Sequence, residues 1–457
     1  MALRLQAAEA IFGTDATSDP LTEVGAAERF ARLHGDDVRF DHRRQRWLLW
    51  AGHRWTPDSD AAIHRIAIEF ARQWQHEALD VSDRDRREKV VTFAMRLERR
   101  DGLTNMLALA RVLKPIADKG EDWDADPWLL GVPNGVIDLR TGTLRDGRRE
   151  DQITMSGAVP FDATARCDRW ERFVVEVFMD PDLVSFVHRA AGYSLTGATA
   201  EQVLFLLYGV GSNGKGTFTN TLKFILGDHS WNMPFATLEM RASGGIPNDL
   251  AALVSRRFVV ASETNDGARL NEARVKALTG CDPVTARFLH GEFFEFEPVA
   301  KFWLSVNHKP VIRDDSFGFW RRLRLLPFTQ RFDVNPALAD ELRAEAAGIL
   351  AWAVRGCTAW QREGLQPPDI VRDATREYEQ DSDPLAGFLA EACEVAPLAE
   401  VGASDIFEHY RHWAESHGLT ERERMSSTKF GTKFAERFER EHRRSGKVYT
   451  GVARRAL

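Results

Sequence analysis

The feature that most constrains this chain is a glycine-rich loop, Gly209–Thr217 (GVGSNGKGT), that separates an apolar run from a helical pattern. The apolar run Val203–Tyr208 predicts a buried strand, and Thr217–Leu226 predicts the helix that follows the loop. A strand, a glycine-rich loop and a helix in this order form the context that a phosphate-binding loop requires. The alternative is a glycine-rich turn that only joins a strand to a helix, but both flanks favour the phosphate-binding interpretation.

The chemistry of this loop predicts nucleotide binding. Its glycines let backbone N–H groups turn inward, and together with the start of the helix they form a nest for anionic oxygens. Lys215 adds a positive charge near the β- and γ-phosphates. The usual pattern continues with a Ser or Thr that binds magnesium, but here Gly216 follows the lysine and the hydroxyl comes at Thr217. We therefore predict ATP and Mg²⁺ as ligands, with nucleotide contacts at Gly209, Gly211, Ser212, Asn213, Gly214, Lys215, Gly216 and Thr217.

Two further predicted strands end at polar residues that suit ATP hydrolysis. The apolar strand Phe258–Ala261 leads through Ser262 to Glu263. A carboxylate at the end of a buried strand beside a phosphate loop can polarise the attacking water or hold magnesium, although a surface acid is the alternative. The strand Phe302–Val306 ends at Asn307, whose amide can orient the lytic water or sense the γ-phosphate.

A pair of arginines, Arg321 and Arg322, precedes the last predicted strand, Leu323–Pro327. Paired arginines near a subunit edge suit an arginine finger, which stabilises the charge of the transferring phosphoryl group and contributes roughly 10³ to 10⁵ in rate. Arginine pairs are common on protein surfaces, so the prediction depends on their position after the third strand.

Composition excludes several classes of protein. A chain of 457 residues is too long for one core, so about two to four domains are expected. The net charge of −7 argues against a uniformly basic nucleic-acid coat. No apolar run approaches the roughly 20 residues that span a bilayer, and Met1–Asp19 lacks a signal-peptide core, so we expect a cytoplasmic location away from membranes. The cysteines are too widely spaced for a zinc site or a disulfide framework: Cys167, Cys281, Cys357 and Cys393.

The patterns along the chain predict five segments. They are a mainly helical region with a short hairpin at Arg39–Trp55 (1–120), a helical collar region with a small β-hairpin (121–195), the P-loop ATPase core (196–335), a helical connector (336–383) and a small terminal domain (384–457). We place a linker at Pro115–Pro127 and a hairpin around His290 and Gly291. Helical patterns followed by a strand at Lys447–Val452 predict a winged helix at the end of the chain.

The ordered motifs resemble a known family. In chain order they are Gly209–Thr217, Glu263, Lys276, Gly280, Asp282, Arg287, Asn307 and Trp320–Arg322. This set resembles the superfamily 3 helicase part of phage and plasmid primase-helicases, including the poxvirus-type and satellite-phage-type proteins. The segment Asn134–Asp138 and the predicted winged helix are also similar to that family.

The resemblance implies an α/β fold with an AAA+-like P-loop core, an N-terminal helical collar and a C-terminal winged helix, assembled as a homo-hexameric ring. It implies phosphate and magnesium binding at Lys215 and Thr217, a Walker B acid at Glu263, a sensor at Asn307, and a finger at Arg321 or Arg322 that reaches a neighbouring subunit. It also implies single-stranded DNA contacts by a hairpin at His290, supported by Lys276 and Arg287. The chain shows no carboxylate cluster of a primase domain, so priming activity is not expected.

These observations predict an ATP-dependent DNA helicase that translocates on single-stranded and replication-fork DNA for a phage, prophage or plasmid in a bacterial cytoplasm. A separate primase or origin-binding protein is a further expected partner. One alternative is a P-loop phosphotransferase, which leaves the hairpin, the arginine pair and the basic tail unexplained. The other is an ATP-gated origin-binding or defence protein that remodels DNA without unwinding it, and that protein would share every motif.

Overall fold

The computed structural model describes residues 19–240, 248–262, 267–287, 292–314, 316–383, 385–419, 421, 424–443 and 446–455. Glu263 and His290, two of the predicted site residues, lie outside the described residues. Among the described residues, no helix is both long and apolar enough to cross a bilayer.

The α-helices of the described residues occur throughout the chain. They are α1 (Glu23–His34), α2 (Ala62–Ala78), α3 (Arg84–Leu97), α4 (Arg100–Ala110), α5 (Asp168–Phe178), α6 (Pro181–Tyr193), α7 (Lys215–Leu226), α8 (Glu272–Thr279), α9 (Phe317–Trp320), α10 (Leu338–Ala344), α11 (Ala346–Glu363), α12 (Asp369–Ser382), α13 (Ala386–Ala392), α14 (Ala403–Ser416) and α15 (Ser427–Ala435).

The strands of the described residues form separate sheets. They are β1 (Val38–Asp41), β2 (Arg46–Trp50), β3 (Trp55–Pro57), β4 (Ala117–Asp118), β5 (Leu129–Val132), β6 (Gly135–Asp138), β7 (Thr143–Arg145), β8 (Leu204–Tyr208), β9 (Ser230–Asn232), β10 (Phe258–Ser262), β11 (Val284–Arg287), β12 (Phe293–Phe296), β13 (Lys301–Val306), β14 (Leu323–Pro327), β15 (Cys393–Gly402), β16 (Arg440–Arg443) and β17 (Gly446–Arg454).

The central sheet is parallel and has the order β14-β8-β13-β10-β9. Its strands confirm the runs predicted before and after the glycine-rich loop. Strand β8 lies between β14 and β13, and Val306 pairs with Tyr208 at the carboxyl end of β8. Ser262 of β10 pairs with Ser305 of β13, so β8, β13 and β10 end together. Their carboxyl ends form one edge of the sheet, and their amino ends form the opposite edge. The loops that follow these strands therefore leave the sheet side by side.

Both faces of this sheet are buried, which explains why its strands are continuous apolar runs. Along β8, Phe205 and Leu207 join one hydrophobic core, while Leu204 and Leu206 join the core on the opposite face. The first of these cores also contains residues of the helices α5, α6, α7 and α11. One hydrophobic core thus contains residues on both sides of the domain boundaries that we predict after residues 195 and 335. The boundaries themselves remain predictions.

Helices α5 and α6 lie within residues 121–195, where the sequence predicts a helical collar region. The Asp180 carboxylate accepts a hydrogen bond from the Leu183 N–H at 2.8 Å, and Pro181 occupies the first turn of α6. An acceptor at the N-cap and a proline at the helix start are typical of a helix beginning. Because both helices contribute to the hydrophobic core beside the central sheet, this part of the predicted collar packs on that sheet.

The N-terminal region has its own core, formed by α1 to α4 and β1. The antiparallel pairing of β1 with β2 confirms the hairpin predicted at Arg39–Trp55. The prediction of a linker at Pro115–Pro127 is wrong. Strand β4 pairs in parallel with β1, and Trp123 is only 3% exposed because it packs with Leu48 and Trp55. Charge and prolines suggested an exposed segment, whereas the buried tryptophan and the strand pairing fix this segment to the fold.

The terminal region contains α13, α14 and α15 beside an antiparallel sheet of order β15-β17-β16. Strand β17 confirms the predicted terminal strand, but β15 and β16 were not predicted from the sequence. Every residue of β16 is exposed, so its sequence shows no hydrophobic alternation, and β15 changes register between Val395 and Glu400. The winged-helix assignment remains a prediction.

The predicted helical connector (336–383) contains α10, α11 and α12, and α10 and α11 meet at Glu345. The Glu345 carboxylate accepts hydrogen bonds from the N–H groups of Arg169 and Trp170, each at 3.0 Å. These groups belong to the first turn of α5, where an N–H has no partner within the helix. A side chain from the connector, after the core, therefore caps a helix that precedes the core.

Replacing this cap should destabilise the fold. We expect Glu345→Ala to lower the free energy of unfolding by about 1–2 kcal/mol, because it leaves N–H groups of α5 without an acceptor. Glu341→Ala is the matched control, since Glu341 pairs with the Arg169 side chain in a solvent-exposed setting, and we expect an effect of about 0.5 kcal/mol or less. Urea denaturation compares the two, and equal effects would show that Glu345 is not a cap.

Candidate nucleotide-binding site

The shape of the predicted phosphate loop depends on the side chain of Asn213. This residue is only 4% exposed, and its amide nitrogen donates to the carbonyl oxygens of Val210 at 3.1 Å and Phe328 at 3.4 Å. Its amide oxygen accepts from the Lys215 N–H at 3.4 Å. The sequence predicts Asn213 as a nucleotide contact, but the structure places its amide inside the loop, where it holds the backbone in position.

Gly214, the residue before the lysine, has to be a glycine. Its φ is +88°, in the left-handed region that side chains disfavour. A Cβ at this position would also lie 2.8 Å from Cγ2 of Val177 on α5. Helix α5 therefore packs directly against the end of the phosphate loop, and the absence of a side chain permits that approach.

Lys215 is a buried cation with neutral partners. It is 6% exposed, and its ammonium donates to the carbonyl oxygen of Gly209 and, at 3.2 Å, to Oδ1 of Asn307. Burial lowers the pKa of this ammonium below its ordinary value. Within the described part of the chain no carboxylate forms an ion pair with Lys215. A buried charge without a counter-charge favours binding of an anion at this position.

Asn307, predicted as the sensor, lies beside Lys215. It follows β13, and the pairing of Val306 with Tyr208 brings the residue after β13 to the loop after β8. The structure therefore joins these two predicted site residues at one edge of the sheet. Ser262, the last described residue of β10, is exposed at the same edge, and the predicted acid Glu263 follows it outside the described residues.

The residues after the lysine occupy different sides of α7. Gly216 is exposed, and the nearest atom to a Cβ at this position would be Nδ2 of Asn220, 4.0 Å away. Thr217 is half-buried, and one residue further along an α-helix it is turned by about 100° from Gly216. The position after the lysine, where a Ser or Thr hydroxyl is usual, is thus open at Gly216. The hydroxyl of Thr217 lies on another side of the helix.

Arg321 and Arg322 lie at the opposite edge of the central sheet. The N–H of Leu204, the first residue of β8, donates to the Arg322 carbonyl oxygen at 2.8 Å, whereas the phosphate loop follows the last residue of β8. A five-residue strand spans roughly 16 Å. In one subunit, the arginine pair and Lys215 are therefore separated by the length of the strand.

Gln202 is a site residue that the sequence reasoning missed. Its Oε1 accepts from Nη2 of Arg321 at 2.6 Å and from Nη1 of Arg322 at 3.1 Å. Arg322 also donates through Nε to the Gly318 carbonyl oxygen at 3.0 Å, and burial lowers the pKa of its guanidinium. One glutamine amide thus holds both predicted finger residues, and no sequence motif marks it because it precedes them by more than a hundred residues.

Lys276, predicted to contact DNA, is engaged within its own chain. Its ammonium donates to Oγ of Ser316 at 2.8 Å and pairs with the Asp314 carboxylate at 2.5 Å. Burial acts to raise the pKa of Asp314, but the hydrogen bonds from Lys276 and Ser316 outweigh it and hold this pKa below its usual value. Lys276 therefore stabilises the turn before α9 in this structure.

The predicted hairpin is confirmed by the antiparallel pairing of β11 with β12. Arg287, the last described residue before its tip, is exposed and lies over the ring of Phe293 at 5.1 Å. From the N-terminal region, Arg43 lies over the Phe294 ring at 4.9 Å and donates to the Glu295 carbonyl oxygen at 3.3 Å. The N-terminal sheet therefore contacts the hairpin directly.

Comparison with protein families identifies the class. The chain matches the family "D5 N terminal like" over residues 27–179, a family of unknown function over 207–322, and the family "Poxvirus D5 protein-like" over 380–453. Curated relatives named as helicases and primases match as well. Two of the three matched families are D5 families, and together with these relatives they confirm the resemblance carried by the motifs.

These relatives are viral proteins. "Putative helicase L207/L206" of Acanthamoeba polyphaga mimivirus is 24% identical over 81% of this chain and 43% of its own length. "Putative helicase 022R" of Frog virus 3 is 26% identical over 66% of this chain and 40% of its own length. "Putative primase C962R" of African swine fever virus (strain Badajoz 1971 Vero-adapted) is 28% identical over 64% of this chain and 33% of its own length. The chain thus spans less than half of the length of each.

Among solved structures, the apo structure of the NrS-1 C-terminal region is similar to this chain. It has a TM-score of 0.47 and 11% sequence identity, over 92% of this chain and 86% of that one. An A-form apo structure of the same region has a TM-score of 0.46 and covers 90% of this chain and 85% of that one.

The contact between Lys215 and Asn307 generates a prediction about nucleotide affinity. In Asn307→Asp, a carboxylate would stand beside the ammonium, raise its pKa and compete with phosphate for it, so we expect the Kd for ATP to rise about tenfold. Asn307→Ala is the control, because it removes one acceptor and adds no charge, and it should change the Kd by about threefold or less. Isothermal titration calorimetry measures both. Equal weakening in the two variants would exclude charge competition as the cause.

Proposed function

We propose that this chain is a superfamily 3 ATP-dependent DNA helicase that translocates on single-stranded DNA during replication of a phage, prophage or plasmid. The observation that carries the proposal is the division of the predicted site between the two edges of one parallel sheet, with Lys215 and Asn307 at one edge and the arginine pair at the other. The D5-type relatives support a helicase or primase role. They come from eukaryotic viruses, so the bacterial setting rests on the resemblance of the motifs.

The loop residues fit ATP. Lys215 is a buried cation without a described counter-charge, and the left-handed Gly214 turns the backbone toward the start of α7. Those features suit a phosphate chain. Thr217 and Glu263 would hold Mg²⁺, which supplies charge neutralisation at the phosphate oxygens when it is bound. Asn307 would orient the attacking water from its place beside the lysine.

The position of the arginines supports catalysis between subunits. Because Arg321 and Arg322 lie at the edge opposite the phosphate loop, an arginine finger would have to reach the loop of another copy. Two different surfaces that meet in this way form a head-to-tail interface, and repeated head-to-tail contacts form a ring when the rotation between neighbours closes. We infer a homo-hexameric ring of this kind, with an AAA+-like core in which β13 stands between β8 and β10.

DNA would be gripped by the hairpin of β11 and β12. Arg287 is exposed on this hairpin, and by the resemblance of the motifs His290 and Lys276 would also contact DNA. With a net charge of −7, the chain would hold DNA through such local basic groups, so binding should weaken with added salt. Further proposed partners are replication-fork DNA at the predicted winged helix and a separate primase or origin-binding protein.

The ATPase rate with and without single-stranded DNA tests this function. We expect DNA to stimulate hydrolysis, and Lys215→Ala to lower the basal and the stimulated rates by about 10² or more, because it removes the buried charge from the phosphate site. Lys223→Ala, on the last turn of the same helix, is the control and should retain both rates.

Two other results would point to the alternatives. Hydrolysis that depends on Lys215 but ignores DNA would favour a phosphotransferase. DNA-stimulated hydrolysis without unwinding of a forked duplex would favour an ATP-gated remodelling protein.

A further inference from the structure

Two positively charged side chains share one neutral acceptor at the edge of the central sheet that carries the arginine pair. Nη2 of Arg321 and Nη1 of Arg322 donate to the same atom, Oε1 of Gln202, at 2.6 Å and 3.1 Å. Burial lowers the pKa of Arg322, the positive charge of Arg321 lowers it further, and the Asp282 carboxylate acts in the opposite direction. Within the part of the chain that the structure describes, neither guanidinium forms an ion pair with a carboxylate. The amide oxygen of Gln202 therefore holds together two groups that repel each other.

The amide of Gln202 can face the arginine pair in only one orientation. Its Nε2 donates to the carbonyl oxygen of Gly280, directly after α8, at 3.3 Å. The reverse orientation would direct the amide N–H groups at the guanidinium N–H groups, and none of these groups can accept a hydrogen bond. The Gly280 carbonyl and the two arginines together therefore fix the amide oxygen toward the pair.

The backbone of Gln202 is fixed as well. Its φ is +50°, in the left-handed region that few residues other than glycine adopt, and its N–H donates to the Thr199 carbonyl oxygen at 3.0 Å. The preceding residue, Glu201, has a different partner, because its carboxylate accepts from Nε1 of Trp360 on α11 at 2.8 Å. Of these two adjacent side chains, the neutral one thus contacts the arginine pair and the charged one contacts a helix.

The neutrality of this acceptor bears on the role proposed for the arginine pair. An arginine finger stabilises the negative charge that spreads over the phosphoryl oxygens during transfer. A carboxylate at position 202 would bind the guanidinium groups more tightly, because hydrogen bonds between charged groups are the stronger ones, but it would also cancel part of their charge. An amide oxygen fixes the position of the pair and leaves its positive charge intact.

We propose that Gln202 is a positioning residue for catalysis in the neighbouring subunit, because its amide oxygen orients the arginine pair without neutralising it. This inference rests on the proposed site shared between subunits, and it adds a third residue to the half of that site that carries the arginines. Gln202 precedes β8, whereas the phosphate loop of the same chain follows β8. The length of that strand, roughly 16 Å, keeps Gln202 away from its own phosphate loop.

Two substitutions separate the effect of position from the effect of charge. Gln202→Met keeps a side chain of similar size but removes the acceptor, so the arginines lose their orientation, and we expect the DNA-stimulated kcat to fall about tenfold. Gln202→Glu adds a carboxylate that pairs with the arginines, so kcat should fall by about 10². Because the finger acts in the transition state, calorimetry should find the Kd for ATP within about threefold of the wild-type value in both variants. Glu201→Gln, the reverse change at the adjacent position, keeps an acceptor for Trp360 and should retain the wild-type kcat.

Subunit mixing assigns the defect of Gln202→Glu to one half of the shared site. The Lys215→Ala protein supplies intact arginines and Gln202→Glu supplies an intact Lys215, so an equal mixture should recover about a quarter of the wild-type rate. The variant that carries both Arg321→Ala and Arg322→Ala supplies no arginines, so its mixture with Gln202→Glu should stay at the residual rate. A variant with general damage to the fold would recover activity with neither partner.

The outcomes separate this inference from the shared site. Recovery of Gln202→Glu with the double arginine variant, or recovery with neither partner, would overturn the role of Gln202, and so would a wild-type kcat in both Gln202 variants. Mixed oligomers of Lys215→Ala and the double arginine variant that stay inactive would instead overturn the shared site, and the role of Gln202 with it. If Gln202→Glu does not assemble, Gln202→Met is mixed with the same two partners, and the same outcomes decide.

Discussion

The in-register parallel pairing of β8 with β13 and β14 is the constraint on which this site depends. Pairing with β13 brings Asn307 to the loop that holds Lys215. Pairing with β14 places Arg322 beside the first residue of β8, at the other edge. The same hydrogen-bonded sheet thus assembles the predicted phosphate site at the carboxyl ends of its strands and keeps the arginines at the opposite ends. Both outcomes follow from strand direction, because parallel strands put all their carboxyl ends at one edge.

Two buried cations connect the edge of the sheet that carries the arginine pair to the segment that precedes β8. Arg257 donates to the carbonyl oxygens of Leu195 at 2.8 Å and Leu129 at 2.7 Å, and Lys301 donates to that of Thr196. Burial lowers the pKa of Arg257 to about 10 and that of Lys301 well below its ordinary value. These contacts, with the shared hydrophobic core, join the predicted collar to the sheet. The phosphate loop therefore rests on a scaffold that begins well before residue 196.

The sequence revealed the parts of this design that local pattern determines. Continuous apolar runs identified the strands of the central sheet. The end of each predicted strand in turn located the polar residue that follows it. Contacts between residues far apart in the sequence could not be predicted. Neither the Glu345 cap on α5 nor the hydrogen bonds of Gln202 with the arginines has a local sequence pattern that marks it. Strand β16 was missed because its residues are all exposed. The roles of Glu263 and His290 still rest on the motifs alone.

Subunit mixing tests the central claim, that one active site needs two copies of the chain. Lys215→Ala protein and a variant with Arg321→Ala and Arg322→Ala should each be inactive alone. When the two variants are mixed in equal amounts, random assembly would give about a quarter of the sites both an intact Lys215 and an intact arginine pair. DNA-stimulated ATPase should therefore recover to about a quarter of the wild-type rate. A variant with all three changes, mixed with either partner, should restore nothing. Mixed oligomers that form and remain inactive would contradict a site shared between subunits.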